Sequence, residues 1–256
     1  ERWTELLDLY DRAIAQAPAA DPERRKSLLD EAAHVAKDFA DQPERSIRYL
    51  EGLFALDHGD AQVARSLERL YERHGHPRDL IALWVARLPH VPADAALASR
   101  LRVAQTWLDP IGDHAAALAA TDDLLAHGGD EASACALLER IAAEAAAPVA
   151  RPAIERLRAR YDDKGRADDA LRVLGMALRV AGSPEERAAV HSELAHRLLD
   201  AGREVDAAAH QAELVVLQPD DAMHLRRLGD LAERTGRHDL LADALARAAD
   251  GLAALP

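Results

Sequence analysis

The residues of this 256-residue chain that could do chemistry are twelve histidines, one cysteine and a surplus of carboxylates. Their spacing decides what each can do. His74 and His76 flank Gly75, and His191 and His196 stand five apart. Two metal ligands on one helical face need a separation of three or four residues, whereas five turns them about 140° apart. Cys135 lies in the small apolar stretch Ala134-Cys135-Ala136-Leu137-Leu138 with no basic neighbour to activate it, so a buried, inert thiol is expected. No serine sits in Gly-x-Ser-x-Gly, and Gly128-Gly129 is followed by Asp130-Glu131, whose charges repel an anion. The acidic pairs Asp122-Asp123, Asp162-Asp163, Asp168-Asp169 and Asp220-Asp221 read as helix caps and solvated faces. These patterns predict no catalytic residue, no metal and no cofactor.

Charge narrows the partners. Lys and Arg total 32 against 45 Asp and Glu, a formal charge of −13, which disfavours binding to a phosphate backbone. A single cysteine excludes an internal disulfide and makes a reducing compartment, the cytoplasm, the expected location. No run of eighteen apolar residues predicts a membrane span, and no secretory signal is seen. Within this acidic chain one basic stripe is present. Gln62, Arg65, Arg69 and Arg73 recur every three or four residues, and Ser99, Arg102 and Thr106 occupy the corresponding positions of a later segment. Such a surface suits an acidic or C-terminal peptide segment. The alternative is that these arginines pair with Glu68 and Glu72 at helical spacing and are merely solvated. Ser192, His196, Arg226, Asp230 and Arg234 give a second, mixed-charge set near the C-terminus.

The elements that must position these side chains are helices. Alanine makes up about a fifth of the chain, 29 of the 32 cations are arginine, and asparagine is absent. Apolar residues recur at three- and four-residue intervals in about fourteen segments of about fifteen residues each, and no alternating strand pattern appears. Prolines 22, 43, 77, 92, 152, 184 and 219 sit beside segment starts or turns, where a missing amide hydrogen costs little. Asp21, Asp60, Asp130, Ser183 and Asp220 are the expected N-caps. Gly75, Gly128, Gly165, Gly182, Gly202 and Gly236 fall at segment ends, where the left-handed conformation suits glycine.

The segments repeat. Leu194, Ala195, Leu198, Gly202, Ala207, Leu214 and Pro219 are followed in the same order by Leu228, Gly229, Ala232, Gly236, Leu241 and Ala248, with Gly202 and Gly236 marking a 34-residue period. Leu157, Tyr161, Gly165, Ala170 and Ala177 repeat the theme, as do Leu67, Tyr71, Gly75, Leu80 and Arg87. A small residue at Ala195 or Gly229 would let the first helix of a pair approach the second, while Leu194, Leu198, Leu228 and Leu231 fill the space between pairs. Trp3, Trp84 and Trp107 read as core wedges. Between 130 and 164 the alternation slips, because 130–146 and 150–164 both look like first helices; an irregular hairpin is expected around Pro148 and Pro152.

Over nearly the whole chain this pattern resembles the tetratricopeptide repeat. The acidic turn Asp41-Gln42-Pro43-Glu44-Arg45 stands where the family often has Gly-Asp-Pro-Glu-Arg. The resemblance implies an all-α fold: a right-handed superhelical solenoid of stacked antiparallel helix pairs, about fourteen helices, spanning 1–256 as a single domain. It also implies a non-enzymatic protein–protein interaction scaffold that binds a partner segment on the concave face lined by first helices. The family's terminal-carboxylate clamp uses Asn and Lys; this chain has no Asn, and Lys26, Lys37 and Lys164 lie elsewhere. Arg2-Trp3-Thr4-Glu5-Leu6 matches the start of a second helix, so the chain is expected to be part of a longer repeat protein. Its Gly-Arg-x-x-Asp turns resemble those of bacterial tetratricopeptide arrays. The alternative function is a regulatory or sensor segment of a larger protein whose effector domain lies outside this chain.

Overall fold

A computed structural model of the protein describes residues 2–17 and 21–253. Among them the regular elements are fourteen α-helices and one turn of 3-10 helix, with no strand. In order they are α1 (Arg2–Gln16), α2 (Pro22–Asp38), α3 (Pro43–Leu56), α4 (Ala61–His74), α5 (Pro77–Arg87), the 3-10 turn Leu88–His90, α6 (Ala93–Leu108) and α7 (His114–Ala126). They continue as α8 (Glu131–Glu144), α9 (Ala147–Asp163), α10 (Ala167–Val180), α11 (Pro184–Asp200), α12 (Glu204–Leu217), α13 (Ala222–Thr235) and α14 (His238–Ala253). From α1 to α7, and again from α9 to α14, each helix packs on the next, and the short connections make each pair a hairpin. The chain forms two compact units, residues 1–134 and 135–256, which divide within α8. No helix among the described residues is long and apolar enough to cross a membrane.

Local chemistry explains where the helices start. Asp21, Asp60, Asp113, Asp130, Ser183 and Asp221 each accept a hydrogen bond from a backbone N–H in the first turn. The cap of α13 is thus Asp221 and not Asp220, because the turn after α12 runs one residue further, with Asp221 N donating to Gln218 O at 3.1 Å. Pro22, Pro43, Pro77 and Pro184 occupy first-turn positions, where no intrahelical donor is needed. Pro152 instead lies inside α9, since that helix begins at Ala147.

The ends are equally legible. Gly75, Gly112, Gly128, Gly165, Gly202 and Gly236 all have φ between 65° and 79°. Gly182 is not among them; its N–H donates to Glu186 Oε2 at 2.6 Å. Asp41 takes the left-handed role at φ 50°, a conformation that a short polar side chain tolerates better than most.

In the first unit the core joins Leu7, Leu29, Ala33, Leu50, Leu67, Tyr71, Trp84 and Val103, with Trp107 packed partly buried against it. In the second, one cluster gathers Leu171, Leu174, Leu194 and Leu198, and another gathers Ala212, Val215, Leu228 and Leu231. Trp3 is different from the other two indoles: it is 45% exposed in the first turn of α1, tilted against Phe39 at 5.0 Å. Gly229 is not a close-approach position, because a Cβ there would meet nothing within 4 Å. Gly52 is one, since its Cβ would come within 2.9 Å of Leu29 Cδ2.

Candidate functional site

The basic stripe is displayed by α4. That helix is closed at its start by Asp60, which accepts from Gln62 N and Val63 N, and at its end by Gly75. It buries Ala64, Leu67 and Tyr71, so Gln62, Arg65, Arg69 and Arg73 fall on the opposite face and are exposed. Arg65 Nε donates to Ala61 O at 2.9 Å, within its own helix. Arg69 and Arg73 have no ion-pair or hydrogen-bond partner for their guanidinium groups among the described residues.

The three residues from α6 behave differently. Ser99 Oγ donates to Ala95 O at 2.9 Å, and Thr106 is half-buried. Arg102 reaches back to α4, donating to Glu68 Oε1 through Nη1 and to Glu72 Oε1 at 3.2 Å through Nη2. Its guanidinium lies 4.1 Å from the centre of the Trp84 ring, and Trp84 Nε1 donates to the same Glu68 oxygen at 2.7 Å. Glu68 therefore holds an indole and a guanidinium together. Glu68 and Glu72 are thus engaged by an arginine from the following hairpin, not by the arginines of their own helix.

In the second unit, Ser192 and His196 of α11 and Asp230 and Arg234 of α13 line a groove of about 800 Å³. Arg227, rather than Arg226, shares that lining, and Gln211 of α12 lies beneath. A concavity of about 660 Å³ in the first unit, lined by Gln42, Arg45, Glu51, His76 and Asp79, contains none of the seven stripe residues.

No protein-family model matches the chain, and no curated protein does. Among solved structures it is similar to the TPR domain of P58(IPK), at 16% identity over 97% of this chain and 69% of that one, with a TM-score of 0.34. That likeness carries no weight of its own. The repeat architecture stands on the fourteen helices, their hairpin packing and the left-handed glycines that close them.

Two features escape a search at helical spacing. The first is a set of arginine–carboxylate pairs at about the length of one repeat: Arg151 with Glu186, Arg158 with Glu193, Arg197 with Asp162, Arg203 with Asp168, and Arg247 with Glu213. The acidic doublets assigned to caps and solvation supply two of these carboxylates, Asp162 and Asp168. A search for charges at the repeat period would have found them. The second is a histidine pair. His191 of α11 meets His210 of α12 rather than His196, with the two Nδ1 atoms 3.0 Å apart. That distance fits one N–H donating to one bare nitrogen, so the pair holds a single proton between its facing atoms. Burial lowers the pKa of both rings, and their mutual repulsion lowers that of His191 further.

The remaining reactive groups are engaged structurally. Tyr71 donates to Glu51 at 2.8 Å and Tyr161 to Glu139 at 2.6 Å; burial and these carboxylates raise both phenols, Tyr161 to about 12. Cys135 is buried. No group of three or more His, Cys, Asp or Glu among the described residues is placed to hold a metal.

Proposed function

We propose that the protein is a non-enzymatic interaction scaffold that holds an acidic partner segment on the exposed face of α4, with Gln62, Arg65, Arg69 and Arg73 as the contact residues and Ser99, Arg102 and Thr106 flanking them on α6. The observation that carries this reading is that three arginines, spread over two turns of one helix in a chain of charge −13, point to solvent without a carboxylate partner. Guanidinium groups in that state offer a carboxylate two parallel donors at little desolvation cost. Arg102 contributes by fixing α6 against α4, since two of its donors already bind Glu68 and Glu72.

The test is binding of a fluorescein-labelled acidic peptide, such as an oligo-glutamate, followed by anisotropy. Replacing Arg65, Arg69 and Arg73 together with Glu is expected to abolish binding while leaving the thermal unfolding midpoint unchanged, because all three are exposed. Equal affinity for the triple variant and the parent would reject the site.

A further inference from the structure

The second unit repeats a feature of the first with one part missing. Leu67, Tyr71 and Gly75 of the first unit recur as Leu157, Tyr161 and Gly165. Trp84, on α5, stands nine residues past Gly75, and Leu174, on α10, stands nine past Gly165. In the first unit the Trp84 indole is buried beside an ion pair that joins α4 to α6: Nε1 donates to Glu68 Oε1 at 2.7 Å, and the Arg102 guanidinium lies 4.1 Å from the ring centre. In the second unit an ion pair joins α9 to α11 in the same way, with its signs exchanged. Arg158 follows Leu157 as Glu68 follows Leu67, and Glu193 precedes the buried Leu194-Ala195 as Arg102 precedes the buried Val103-Ala104. Arg158 donates through Nη1 to Glu193 Oε2 at 2.9 Å and Oε1 at 3.1 Å. Leu174 is too small to fill the room that an indole takes. Beside the pair lies a cavity of about 280 Å³ walled by Ile154, Leu174, Ala177, Val180 and Val190. An apolar cavity of roughly 150 Å³ accommodates benzene, so this one has room for a bicyclic ring.

The rim favours a ligand of neither sign. Glu186 accepts two hydrogen bonds from Arg151, Glu193 accepts from Arg158 and from Arg197 Nε at 3.1 Å, and Glu155 is electrostatically coupled to Arg151. An ammonium or a carboxylate would lose its hydration there and find each opposite charge already matched. A neutral N–H is different, because one carboxylate oxygen accepts more than one donor, as Glu68 Oε1 does from Trp84 and Arg102. We propose that this slot binds a small neutral indole, its ring against the Ile154–Leu174–Val190 wall in the role that Trp84 fills in the first unit, and its N–H donated to Glu193 Oε2. The site is independent of the α4 stripe, so either assignment can fail alone.

Isothermal titration of the full chain with indole, 1-methylindole, tryptamine and indole-3-propionate tests it. The expected result is saturable 1:1 binding of indole, about tenfold weaker binding of 1-methylindole, which lacks the N–H, and no gain for either charged analogue. Leu174→Trp supplies from within the chain the ring that the slot lacks, and is expected to abolish indole binding. Ala189→Trp, at an exposed position on the rim, is expected to do the same without altering the unfolding midpoint. Absence of saturable indole binding, 1-methylindole binding as tight as indole, tryptamine or propionate binding tighter than indole, or retention of binding in Ala189→Trp would each overturn the proposal.

Discussion

Gly75 closes α4 at φ 71°, and an added Cβ there would meet no atom within 4 Å. Gly229 lies inside α13, also in open space, but at an ordinary helical φ. The two positions separate backbone strain from packing. Gly75→Ala forces an L side chain into the left-handed region and should cost about 1–2 kcal/mol. Gly229→Ala meets neither strain nor clash and should stabilise by about 1 kcal/mol through helix propensity. Chemical denaturation of both variants checks this, and a loss of stability on Gly229→Ala would mean that α13 needs its small residue after all. The sequence separates the two, reading Gly75 as a left-handed helix end and Gly229 as a close approach; the first reading holds and the second does not, because the distance to a neighbouring helix is set by packing that spacing does not encode. The same limit applies to the cap of α13: Asp220 and Asp221 offer identical chemistry one residue apart, and only the geometry of the preceding turn selects Asp221.

At the level of elements, the helices themselves were readable because their causes are local: apolar spacing, a proline or aspartate at the start, a glycine at the end. The charged ties that join one hairpin to the next were not, because those partners lie a whole repeat apart. Arg102 illustrates the difference. Its spacing from Ser99 and Thr106 placed it in the candidate site, but its neighbours in space are Glu68, Glu72 and the Trp84 ring, 34, 30 and 18 positions earlier. Four of the seven stripe residues, Gln62, Arg65, Arg69 and Arg73, are exposed on one face as helical spacing requires. Arg102→Ala should therefore cost about 1 kcal/mol, from one partly exposed ion pair and one cation–π contact. Arg69→Ala, with no partner to lose, should leave stability within a few tenths of a kcal/mol. Comparison of the two unfolding midpoints decides whether Arg102 is a tie between helices or another solvated cation.

Across the whole molecule, the ionisable groups set a stability profile with three descents. Hydrogen bonds from Arg151 and Arg237 lower Glu186 and Asp239 to about 2, and arginine contacts also lower Asp162, Asp169 and Glu213. Their contribution is present above the ordinary carboxylate range and is lost as pH falls toward 2. Tyr49 and Tyr161, raised to about 12 by burial and by neighbouring carboxylates, contribute below pH 10 and cease to do so as pH rises through about 12. His191 and His210 act between these limits. Burial favours their neutral forms, against the pull of Glu213 and Asp206 and with the push of Arg187, so their contribution is full above about 6.5 and is lost as pH falls through their lowered values. The denaturation midpoint should accordingly be flat from about pH 7 to 10 and begin to fall just below. Net charge cannot cause that first fall, because between pH 7 and the isoelectric point near 5.4 the chain approaches neutrality and self-repulsion declines. Replacing His210 with Gln removes one buried imidazole and its repulsion of the other, and should make the descent between pH 6.5 and 5.4 shallower, with the buried His191 retaining its share, while leaving the one below 4.5. If His210→Gln and the parent fall together in that window, the histidine pair is not its origin.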